Sequence, residues 1–107
     1  MITTTTPTLQ GQEISEYLGI VTAEVVYGSN ALRDFFAGIR DMIGGRTGSY
    51  ESLFHEGHEK AIAELERRAE RLDADAIVGI QVDTGTITVE DGGTLLVVTA
   101  VGTAVKL

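Results

Sequence analysis

Thr94 to Leu107 reads TLLVVTAVGTAVKL, and its two alternating sets of side chains decide the fold. Leu96, Val98, Ala100, Gly102 and Ala104 share one side and taper to small residues. Leu95, Val97, Val101 and Val105 share the other. Alternation of this kind marks a strand, and apolar residues on both sides mark one that is covered twice. The small side can receive a helix. The other side needs separate cover, which in a chain of 107 residues is best supplied by another subunit.

Outward from that strand, Glu90-Asp91-Gly92-Gly93 reads as a hairpin turn. Ala76 to Val89 is the preceding strand, with Val78, Ile80 and Val82 expected on one side and Gly79, Gln81 and Asp83 on the other. Before it, Tyr50 to Leu72 has helical spacing, with a stripe of Leu53, Phe54, Gly57, Ala61, Ile62, Leu65, Ala69 and Leu72. Glu56–Lys60 and Glu64–Arg68 stand at i,i+4 in the favourable order. Glu51 in the first turn and Arg67, Arg68 and Arg71 at the end complement the helix dipole. These charges read as a solvated face. Ile14 to Tyr27 is a strand with apolar residues of both parities and a bend or bulge at Gly19. Thr8 to Glu13 is a turn containing Gly11, and Met1 to Thr6 a short edge strand or an arm laid on a neighbour.

Asn30 to Glu51, NALRDFFAGIRDMIGGRTGSYE, is the most distinctive stretch. Leu32, Phe35, Phe36, Ile39, Met42 and Ile43 predict a shorter amphipathic helix, with Asn30 as its N-cap and Gly44-Gly45 as its stop. The order is then strand, strand, helix, helix, strand, strand. That is an α+β fold: an antiparallel sheet with one long helix packed across it plus a shorter helix. The length fits a single domain, residues 1–107.

The net charge of −8 argues against nucleic acid and against an anionic membrane surface as partners. There is no cysteine, so no disulfide framework and no thiol chemistry. The opening residues lack the pattern of a signal peptide, and no apolar stretch approaches a membrane span. The expectation is a soluble cytoplasmic protein.

At Arg33-Asp34, Gly44-Gly45-Arg46, Tyr50-Glu51 and Ala74-Asp75-Ala76-Ile77-Val78-Gly79 the chain resembles the YbjQ family, small bacterial and archaeal proteins labelled "putative heavy-metal-binding". Thr6-Pro7-Thr8-Leu9 and Gly102-Thr103-Ala104-Val105 also fit. The resemblance implies a dodecin-like sheet crossed by a helix and assembled as a homopentameric ring, with no settled activity. Family members usually carry Gly where this chain has Asp73, so Asp73 is expected to end the helix in a left-handed conformation.

Soft heavy metals favour thiolates, which are absent. Glu51, His55 and His58 recur at i, i+4 and i+7 and could set one carboxylate and two imidazoles on a divalent ion such as zinc, with Glu59 beside them. Equally, they could be surface residues paired with carboxylates. Gly44, Gly45, Arg46 and Gly48, with Arg33 and Arg40, could bind a small anion or clamp two subunits together. No catalytic constellation is found: Ser52 and His55 lack a positioned third group, and no carboxylate pair stands out. Two readings stay open. One is a ring binding a metal or small ligand; the other is a structural or protein-interaction module.

Overall fold

The computed structural model describes residues 1–28, 30, 48–88 and 93–107. Its elements are β1 (Ile2–Thr3), β2 (Glu16–Tyr27), α1 (Gly48–Glu70), β3 (Ala76–Thr88) and β4 (Thr94–Lys106). The shorter helix expected after Asn30 and most of the hairpin turn before Gly93 lie outside the described residues. Among the described residues there is one helix, and it lies across the sheet.

The strand order is β1-β3-β4-β2. β4 is central, antiparallel to both β2 and β3. The sheet is nevertheless mixed, which corrects the antiparallel expectation: β1 runs parallel to β3, Ile2 facing Ala76 and Thr3 facing Ile77. The N-terminal arm reaches the outer edge of β3 and bonds there through Thr4 N–H to Ile77 O (3.0 Å) and Gly79 N–H to Thr6 O (2.8 Å). A strand this short carries no alternation from which a neighbour or a direction could be read.

Two bulges re-aim side chains. At Gly19, φ is 124° and the β2–β4 register shifts between Tyr17 and Gly19. Leu18 therefore packs with Val21, Ala23 and Val25 against the helix-side core, while Ile20 faces away. At Gly79, φ is 63° and the β3–β4 register shifts between Val78 and Gln81. This overturns the simple alternation expected for β3. Ile77, Ile80 and Val82 face the helix, whereas Val78 joins Ala76 and Val105 on the other side under Leu9 and Ile14. An extra residue in one strand shifts the parity of everything beyond it.

The helix meets β4 at close range because both surfaces are small. Gly57, Ala61, Leu65 and Ala69 recur every fourth residue and are buried. A Cβ on Gly57 would stand 2.9 Å from Val98 Cγ2. A Cβ on Gly102 would stand 2.6 Å from Ile77 Cγ2 and 3.0 Å from Ile80 Cγ1, the residues the Gly79 bulge brings inward. Leu53 and Leu65 are almost wholly enclosed. Each such side chain contributes about 1.5–3 kcal/mol relative to exposure.

The helix ends as expected at Asp73, whose φ is 59°. Ala74 N–H bonds to Ala69 O (3.1 Å) and Asp73 N–H to Glu70 O (3.0 Å). These are the two bonds of a Schellman motif, with Asp73 in the position glycine usually holds. Leu72, placed in the apolar stripe from its spacing, instead falls in this turn and is exposed.

Candidate functional site

The expected metal ligands lie on the exposed side of α1 above β3. His55 Nε2 is 2.9 Å from Glu59 Oε1, both side chains well exposed. His58 Nε2 is 2.9 Å from Thr84 Oγ1 on β3. The two imidazoles are thus engaged with different partners, one along the helix and one down onto the sheet. Among the described residues no group of three or more His, Cys, Asp or Glu side chains gathers around a common point. Glu51 opens the same side of the helix, one turn before His55. Of the glycine–arginine set, Arg33, Arg40, Gly44, Gly45 and Arg46 lie outside the described residues, and Gly48 is the first residue of α1.

The opposite side of α1 forms an open groove of about 450 Å³ with β2, lined by Glu24, Val25, Lys60, Glu64, Arg67 and Arg68 among others. Glu64 accepts from Arg67 (2.6 Å) and Arg68 (3.3 Å), and these bonds, the one from Arg67 first, hold its carboxyl below the usual range. Arg68 also donates to the backbone carbonyl of Thr22 on β2. Lys60 pairs with Glu56 at 3.2 Å, as the i,i+4 spacing predicts, and lies 5.8 Å from the centre of the Tyr27 ring. The Tyr27 hydroxyl is enclosed, with no acceptor in hydrogen-bond geometry among the described residues. Burial first, then the nearby Glu56 carboxylate, pushes its pKa above the ordinary value.

The sheet face turned away from the helix carries exposed apolar side chains. Tyr17, Ile20 and Val26 of β2, Val101 of β4 and Ile87 of β3 lie on it, with Ile20 78% exposed and Val26 56%. Among the described residues, Leu9 and Ile14 cover its end near Ala76, Val78 and Val105. An open groove of about 290 Å³ runs along its other end past Asp83, Gly85, Ile87, Val97 and Thr99.

Sequence reasoning missed the task of Asp75. Its carboxylate accepts from Leu107 N–H (2.9 Å), while its own N–H bonds to Val105 O (2.9 Å). The Ala74–Gly79 signature is therefore a structural splice. Ala74 completes the helix stop, Asp75 ties down the end of β4, Ala76 and Ile77 receive β1, and Gly79 makes the bulge. A lone Asp between two alanines gives no signal of this from sequence.

Comparison with known proteins agrees with this architecture. The family described as "Putative heavy-metal-binding" (YbjQ) matches residues 1–107, and this chain belongs to it. It is similar to a UPF0145 protein of Trichodesmium erythraeum, 73% identical across 100% of this chain and 99% of that one. A UPF0145 protein of Trichormus variabilis is 67% identical over the same shares. A crystal structure from Pediococcus pentosaceus, a protein with unknown function of the DUF74 family, shares the fold with a TM-score of 0.67 at 21% identity, over 100% of this chain and 97% of that one. No described helix is long and apolar enough to cross a membrane.

Proposed function

We propose that this chain is the subunit of a cytoplasmic homo-oligomeric ring, five-membered by its family resemblance, that holds a metal ion or small ligand. The observation that carries the reading is the bare sheet face, where Tyr17, Ile20, Val26, Ile87 and Val101 stand exposed together. Apolar patches of this kind on a small protein mark association surfaces, and the partner of this chain is itself. Its acidic balance supports neither nucleic acid nor an anionic membrane as a further partner. Native mass spectrometry at micromolar concentration should give a multimer, and a stable monomer would sink the reading.

The ligand is assigned to one of two places. Glu51, His55 and His58 would take a divalent ion such as zinc after turning away from Glu59 and Thr84, and calorimetric titration should lose that binding in His58→Ala. Gly44, Gly45, Arg46 and Gly48 with Arg33 and Arg40 would hold a small anion or clamp subunits. Arg46→Ala separates these: loss of the multimer means a clamp, loss of anion binding alone means a site. A second reading, a structural or protein-interaction module without a ligand, is favoured by both histidines already having protein partners. A zinc titration with no heat and no protection against thermal unfolding would favour it.

A further inference from the structure

Lys60, Ala63 and Arg67 stand at i, i+3 and i+7 on the flank of α1 beside β2, with Glu64 and Arg68 next to them. Ala63 is a small residue between two long ones, and the space beside it is the open groove of about 450 Å³ that Val25 of β2 also lines. Small-molecule sites usually measure about 300–1,000 Å³. Val25 and Ala63 are both half-buried, so the apolar part of the lining can still be reached. Three cations line the groove against two carboxylates, Glu24 and Glu64, in a chain whose net charge is −8.

The two carboxylates do different things. Glu64 accepts from Nε and Nη2 of Arg67 at 2.8 and 2.6 Å and from Nε of Arg68 at 3.3 Å. One carboxylate thereby holds two guanidiniums side by side. Arg68 Nη1 is fixed further on the Thr22 carbonyl. A guanidinium has five N–H groups. Each of these two uses two of them in those bonds and keeps three with no acceptor among the described residues. Glu24 is 52% exposed and comes only within 3.7 Å of Arg68. A charge-assisted bond is about 2.7–2.9 Å, so Glu24 is a weak occupant of the place an incoming anion would take. Lys60 stands eight positions before Arg68, about 12 Å along the helix axis, and marks the other end of the groove.

We propose that this groove binds a small organic anion, a carboxylate or phosphate head on a short apolar body, using other residues than the two ligand places named above. The head takes the unspent N–H groups of Arg67 and Arg68 and displaces Glu24 into water. The body lies along Val25 and Ala63 toward Lys60. Arginine suits such a head because its planar fork bonds two oxygens of one carboxylate or phosphate at once. Glu64 has already ordered both guanidiniums, which lowers the entropy lost when the anion arrives. Every lining residue belongs to one chain, so the site is complete without a second copy.

The test is calorimetric titration of the intact protein with hexanoate, phenyl phosphate, inorganic phosphate and hexylammonium. Hexanoate or phenyl phosphate should saturate at one per chain, and the tighter of the two assigns the head group. Hexylammonium, with a like body and the opposite charge, should not bind. Arg67→Gln should weaken the bound anion by about tenfold or more. Ala63→Leu fills the groove, leaves every charge in place and should abolish saturable binding. Glu24→Gln should tighten binding by about threefold, because the competing carboxylate is gone. A Glu24 that only held the structure together would give a loss instead. No saturable binding of either organic anion to the wild type would overturn the site. So would hexylammonium binding, inorganic phosphate binding as tightly as phenyl phosphate, binding that survives Ala63→Leu, or a loss in Glu24→Gln. Anion binding kept in Arg67→Gln and lost in Arg46→Ala would overturn it in favour of the glycine–arginine place. None of these results bears on the zinc titration or on the multimer, so the site can fail while the reading above stands.

Discussion

The two faces of the sheet are built from the same strands and differ in what they can tolerate. Under the helix, Ala23, Val98, Ala100, Gly102 and Ala104 are small and sealed, and approach distances are already at their limit. On the other face, Ile20, Val26 and Val101 alternate with Thr22, Glu24, Thr99 and Thr103, and several are wide open. The first face is a finished interior, where shape decides. The second is an open surface, where apolar and polar side chains alternate and shape constrains little.

The sharpest way to test that contrast is at Gly102. Gly102→Val forces carbon into space held by Ile77 and Ile80 and should cost about 1–3 kcal/mol in chemical denaturation. A cost near zero would mean that the helix-side layer can relax, and the contrast would fail. Asp73→Gly acts on the helix that seals this face. Relief of the left-handed strain is partly offset by a more flexible unfolded chain, so stability should rise by up to about 1 kcal/mol. A loss of stability would show that the Asp73 side chain holds the helix stop by other means. On the bare face, Ile20→Thr should change the stability of the dissociated subunit by no more than about 0.5 kcal/mol while weakening assembly. A large loss in the dissociated subunit would make that face part of the interior after all.

The smallest effect concerns acid. The Glu64 carboxyl, held low first by its bond from Arg67, contributes stability that is present above the ordinary carboxylate range. That contribution is lost as the pH falls through the lowered folded value. An NMR titration should find the Glu64 carboxyl ionising below the ordinary carboxylate range, and an ordinary value would mean that its bonds to Arg67 and Arg68 along α1 contribute nothing.

Much of the covered face was legible in the sequence. The β4 alternation, the helical stripe through Leu53 and Leu65 and the bulge at Gly19 follow from local chemistry that a short window contains, while the left-handed stop at Asp73 follows from the glycine that relatives carry there. The β3 parity was not legible as read, because Gly79 sits inside an apolar run and an unbroken strand explains that run equally well. The parallel β1 was hidden because two residues carry no period. The site was least legible. Helical spacing puts Glu51, His55 and His58 on one side of α1 with Glu59 beside His55, but it could not say that His58 bends down to Thr84, 26 positions on in the chain.

The parallel pairing of β1 has a kinetic consequence. Ile2 meets Ala76 only after nearly the whole intervening chain has been brought into place, whereas β3 and β4 are neighbours in sequence. Closing so long a loop for two strand residues is entropically unrewarding until the rest exists. β1 therefore joins last and leaves first. In hydrogen exchange, Thr4 and Gly79 should lose protection well before the β2–β4 ladder does, giving the molecule a detachable end on an otherwise cooperative sheet.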